Sequence, residues 1–237
     1  MKKITAMLIA VLILFCTAAC AEDSAEPVFH QYSTVSSCGY SIEILWQEGI
    51  EEDAELRETI LSVIFNKYPV IRETFGTNES RTIRLHLTSD GQNSIVSGSH
   101  DIFMDYTTLK EDPSKLNTLV WFLGNKVING HPNPEQNSEI DMLSLGLQAY
   151  IEARYAVDPT TAIWLKPYEE GQQLTDHHQV AGAFIKWIAD TYGEMVPVRL
   201  NRALHEGYYK TQDFWPWTVG NSLDNLWNEY ASQSAVQ

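Results

Sequence analysis

Along this chain of 237 residues the spacing of hydrophobic residues changes, and the change limits the folds open to it. In two early segments apolar residues recur at every second position: Tyr40, Ile42, Ile44 and Trp46, then Ile83, Leu85 and Leu87. Successive strand side chains point to opposite faces, so each run predicts a half-buried strand. Residues 94–96 and 101–105 offer two further short strands after the Asp90-Gly91 turn, with Asp101 and Asp105 exposed at the ends of the second. Helical spacing governs most of the rest. Leu56, Ile60, Val63 and Ile64 follow the acidic run Glu51-Glu52-Asp53, whose charges suit a helix N-terminus. Pro69 and Gly76 mark that helix's end or a kink. Further helices are predicted over 116–128, over 140–151, over 180–188, over 196–204 and over 222–230, with Ser222 as an N-cap. Strands followed by helices predict an α+β domain, a small N-terminal β-sheet with a mostly helical body. Residues 39–232 read as one domain, 233–237 as a tail, and no internal repeat is found.

The first residues have a different character. Lys2 and Lys3 precede an apolar run from Ala6 to Phe15, and Thr17-Ala18-Ala19 supply small residues before Cys20. This predicts an export signal over 1–19, too short to span a membrane. Cys20 in that setting resembles a bacterial lipobox, where the cysteine becomes the lipidated first residue; Thr17 stands where Leu is usual. Simple cleavage after Ala19 or Ala21 is the alternative. The polar stretch 20–38 reads as a tether, and the chain is expected at the cell envelope, with any membrane contact through a lipid anchor alone. If Cys20 is lipidated, Cys38 is a free, buried and inert thiol; otherwise the two can pair in an oxidising compartment. The formal net charge is −15, and loss of the two leader lysines makes it more negative. Such a surface repels phosphate backbones, so nucleic acid is not an expected partner.

Candidate chemistry is sparse. No His-x-x-x-His pair puts two imidazoles on one helix face. Adjacent His177 and His178 point about 100° apart on a helix and read as a polar helix start. His131 with Glu135, Glu139 and Asp141 lies in a Pro- and Asn-rich connection and reads as solvated loop. There is no phosphate-cradling glycine loop and no Gly-x-Ser-x-Gly turn. Trp215, Trp217 and Trp227 read as core or interface packing ahead of a ligand groove.

Several segments carry a resemblance. "LGLQAYIEARY", "DPTTAIWLKP", "LTDHHQVAGAFIKWIADTYG", "VRLNRALHEGYY" and "TVGNSLDNLWNEY" occur in this order, preceded by "FNKYPVIRETFGTNESRTIRLHL". They resemble the basic secretory protein family, zincin-like metallopeptidases of plants and bacteria, over about residues 40–230. The most specific parts are Phe184 with Trp187, Leu200-Asn201, and Leu226-Trp227 with Tyr230. The resemblance implies a zincin-like fold. It also implies where the family's His-Glu-x-x-His helix, with two zinc ligands and a water-activating Glu, falls: on Phe122-Leu123-Gly124-Asn125-Lys126. The family's Glu-Gly-Ile-Ala-Asp-Tyr falls on residues 145–150, where Leu145 and Ala149 replace the acids, and a family Tyr falls on His178. No catalytic residue, metal ligand or cofactor is therefore expected. The expected role is an inactive binding or scaffolding protein for a protein, peptide or cell-wall ligand. The alternative is a hydrolase built around His178 and Lys126 with a cleft acid.

Overall fold

The computed structural model describes residues 28–76, 80–91, 93–95, 101–128, 138–162 and 165–234. The predicted export signal, Cys20, His131 and Glu135 lie outside them. Two strands open the fold, β1 (Phe29–Ser37) and β2 (Tyr40–Gln47), followed by helix α1 (Ala54–Phe75). Then come β3 (Thr82–Thr88), β4 (Ser94–Ile95), β5 (Ile102–Asp105) and the short helix α2 (Tyr106–Glu111). The helical body is α3 (Leu116–Ile128), α4 (Ser138–Tyr155), α5 (His178–Tyr192), α6 (Met195–His205), α7 (Thr211–Val219) and α8 (Leu223–Ser234). The predicted α+β class, a small N-terminal sheet with a helical body, is what is found.

The sheet has the order β1-β2-β3-β5-β4. β2, β3 and β5 run parallel, with β1 and β4 antiparallel at the two edges. A parallel β2–β3 pair needs a crossover, and α1 supplies it. Tyr40, Ile42, Ile44 and Trp46 on β2, and Ile83, Leu85 and Leu87 on β3, are buried on one sheet face, as their alternation predicts. On the other face His86 stacks on Phe103 (centroids 4.3 Å apart) and meets the edge of Phe29. Asp53 caps α1 by accepting from the backbone N–H groups of Glu55 and Leu56. The helix runs through Pro69 and stops at Gly76.

Three expectations need correction. The tether assigned to 20–38 is, over Phe29–Ser37, an edge strand paired with β2. Its polar residues hid the alternation because an edge strand with one solvated face needs few apolar side chains. Cys38 is exposed, not buried. It shares the tip of the β1–β2 hairpin with Gly39, at φ +53° and +80°, the left-handed pair that a two-residue hairpin turn requires. Asp105 is buried, and Asp101 is largely shielded. Asp105 caps α2 by accepting from Thr108 N–H at 2.7 Å and takes a second hydrogen bond from Gly91 N–H, so ligation by backbone holds its carboxyl below the usual range despite burial.

In the body, α3 packs on α1 and α4, and α4 packs on α5. The α4–α5 contact is close enough to require glycine. A Cβ at Gly146 would lie 2.8 Å from the Ala181 Cβ, and one at Gly182 would lie 2.7 Å from the Ala149 Cβ. Asn201 on α6 fastens three helices. Its buried side-chain N–H group donates to the Phe75 carbonyl at 2.7 Å and the Val127 carbonyl at 3.4 Å, at the C-terminal ends of α1 and α3. Those carbonyls have no intrahelical donor, so their loss of water must be compensated from outside. N201L should cost about 1–3 kcal/mol in chemical denaturation, and N201D more, since a carboxylate cannot donate. Wild-type stability in N201L would show that the bridge has no weight.

Candidate functional site

Helix α3 is buried nearly all round. Leu116, Leu119, Val120, Phe122, Leu123, Val127 and Ile128 all lie in the core, with Asn117 and Lys126 buried among them. Gly124 lets α4 approach, since a Cβ there would stand 3.0 Å from Ile151. Asn117 holds the loop after α4: its Oδ1 accepts from Val157 N–H at 2.7 Å, and its Nδ2 donates to the Asp158 carbonyl and the Thr161 hydroxyl, both at 3.0 Å. Only the stripe of Thr118, Trp121 and Asn125 is partly exposed, and the rest of the helix belongs to the interior.

The six positions singled out by the resemblance have different surroundings. Phe122 and Leu123 are 7% and 0% exposed and belong to the core. Lys126 is buried beside Asp101 and Arg84; burial lowers its amine to about 8, with Asp101 partly opposing this and Arg84 adding to it. Ala149 packs on Gly182 of α5, while Leu145 is at the surface. His178 begins α5, stacks on His177 at 4.4 Å and meets the Trp121 ring at 5.4 Å. Burial, then the charges of His177 and Lys166, hold it below its ordinary value. His177 caps this helix, its Nδ1 accepting from Gln179 N–H, which agrees with a polar helix start. Lys126 and Trp121 are five residues apart on α3 and so point in different directions, about 140° around the axis. Lys126 and His178 accordingly have separate charged neighbours and form no shared pair.

Zinc does not fit the residues on α3. A phenyl ring and a leucine carry no lone pair to donate, and an amine titrating at about 8 is largely protonated at neutral pH. Among the described residues, no group of three or more His, Cys, Asp or Glu side chains is placed to hold a metal ion. Glu139 instead accepts from the Tyr209 hydroxyl at 2.9 Å and from the Thr211 hydroxyl.

Two features escaped the sequence reading. The first is Glu152 on α4, fully buried, with neither carboxyl oxygen hydrogen-bonded; burial alone raises it to about 8. One turn earlier Gln148 is also buried, its side-chain carbonyl without a donor. The signal was present in α4, which carries large apolar residues on one side and Gly146 with Ala149 on another, so a polar wedge between two packed faces is shut off from water. The second is an open groove of about 890 Å³ between α6 and α7, lined by Arg199, Tyr208, Gln212, Asp213, Phe214 and Trp217 among others. Neither this groove, nor the hollow at Asp53 and Lys110, nor the one at Arg154 and Glu194 is lined by any of the six positions.

The buried acid sets a pH dependence. The ordinary value of 4.5 is raised to about 8 in the fold, so Glu152 is unpenalised while protonated, and stability falls by about 1.4 kcal/mol per unit as pH climbs between them. E152Q should therefore gain on the wild type from pH 5 to pH 8 in thermal melts. Lys126 has the opposite sign: its cost appears as pH falls from 10.5 to about 8 and is constant below. K126M should thus be more stable than wild type by the same amount at pH 5 and pH 7. Parallel melting curves for E152Q and wild type would refute the assignment to Glu152.

No curated protein matches the chain. The BSP family model, described as a peptidase of plants and bacteria, matches residues 134–230, which contain α4 to α8. Helix α3 precedes the matched segment, so its register with the family motif rests on the resemblance alone. Over residues 134–230, the segment from α4 to α8, the chain is thus similar to the basic secretory protein family.

Proposed function

We propose that this chain is a catalytically inactive family member, exported to the cell envelope on a lipid anchor at Cys20, where it acts as a binding or scaffolding protein. One observation carries the reading. Where the resemblance puts two zinc ligands and a general base, the chain has Phe122, Lys126 and Leu123, all withdrawn into the interior. An active zinc enzyme needs three donors and an open coordination position facing solvent and substrate. The hydrolase alternative gains nothing from the geometry, because Lys126 faces the charges of Asp101 and Arg84 while His178 packs on Trp121. With α3 buried, a binding role falls to the outer surface, and its partner is a protein, a peptide or a cell-wall ligand.

Metal analysis of the purified full chain, paired with a broad peptidase assay, tests the reading. The expected outcome is no stoichiometric zinc and no chelator-sensitive cleavage. Stoichiometric zinc whose removal abolishes proteolysis would overturn it. Mass spectrometry of the mature N-terminus should find a diacylglyceryl group on Cys20; an unmodified terminus would remove the anchor from the proposal.

A further inference from the structure

The groove between α6 and α7 is lined by aromatic rings together with exposed polar side chains. Helix α7 is anchored by Trp215, which is fully buried and donates from its Nε1 to the Tyr209 hydroxyl at 2.9 Å. Tyr209 in turn donates to Glu139. Two residues along a helix is a turn of about 200°, so the anchoring of Trp215 throws Trp217 to the opposite side. Trp217 is 94% exposed, more than any other large hydrophobic side chain among the described residues. Pro216 between them stiffens the segment. Exposed Tyr208 and half-buried Phe214 line the same groove. Around it stand Arg199, Gln212 and Asp213. None of these three, nor the Tyr208 hydroxyl, makes a side-chain hydrogen bond or ion pair with another described residue.

From this pairing we infer that the α6–α7 groove binds a neutral oligosaccharide, a ligand class that rests on the binding role proposed above. A pyranose ring has a C–H face that lies flat on an indole or phenol. Its rim of hydroxyls donates and accepts together, and so takes a carboxylate, an amide and a guanidinium at once. Other occupants fit less well. An amphipathic helix needs a continuous apolar floor, whereas polar groups alternate with the aromatics here. An anionic polymer meets a chain of net charge −15 and a groove whose one guanidinium has a carboxylate beside it in the lining. The volume, about 890 Å³, is at the upper end of ligand pockets and leaves room for more than one sugar ring.

Cellohexaose and the hexamer of β-1,4-linked N-acetylglucosamine are the probes, titrated into the full chain by calorimetry and tryptophan fluorescence. Saturable binding of at least one is expected, with a change in tryptophan emission. W217A should weaken it by at least about tenfold without altering circular dichroism, because the side chain contributes little to the core. V70A, at an exposed position on α1, should bind as wild type. Absence of binding by both hexamers at millimolar concentration would overturn the inference, as would undiminished binding by W217A. Self-association that W217A abolishes, seen by sedimentation without sugar binding, would assign the groove to a second copy instead. No sugar binding together with no zinc-dependent proteolysis removes the ligand class and leaves the inactive reading standing; sugar binding together with zinc-dependent proteolysis keeps the ligand class and removes the inactive reading.

Discussion

Three helices from distant parts of the chain are held together by one carboxamide. Asn201 serves the last carbonyls of α1 and α3 from α6, across sequence separations of 126 and 74 residues. Carbonyls at helix ends have no partner of their own, and burying them is costly unless a donor arrives from elsewhere. That requirement fixes where α1, the sheet's crossover helix, stops, and where α3 stops, relative to the C-terminal helices. The sheet is thereby tied to the body, and the close α4–α5 contact at Gly146 and Gly182 completes the interior.

Much of this was legible in the residues, and what was not has physical causes. The alternation on β2 and β3 gave those strands because one face of each is packed and the pattern is strict. The 3.6-residue period gave α3 its exact bounds because apolar residues fill it. The edge strand β1 was missed since half of it faces water and Phe29, Ser33 and Val35 are only partly covered. Helix α7 was missed because Pro216 and three aromatics within four residues mask a helical period. Trp215, Trp217 and Trp227 were read together as packing. That holds for Trp215 and Trp227, whereas the fully exposed Trp217 belongs to the groove.

The candidate site was legible mainly through the resemblance. Where the resemblance puts ligands, the letters at 122, 123 and 126 are Phe, Leu and Lys, but they do not say whether those side chains stand open to solvent or closed off from it. Packing answers this through neighbours that lie far away in sequence: Ile151 on Gly124, Gly182 on Ala149, and the charges of Arg84 on β3 and Asp101 just before β5 around Lys126. Glu152 was missed for a related reason. In "YIEARY" it looks like an ordinary solvated helix residue, and only the two packed faces of α4 put it out of reach of water.

The burial of Phe122, Leu123 and Lys126 also bears on what single substitutions can do here. Placing an imidazole or a carboxylate at any of these positions would put a polar group into a filled interior without a partner to satisfy it. Each such variant would fold less well than the present chain. The packing of α3 therefore holds its own composition in place, one residue at a time.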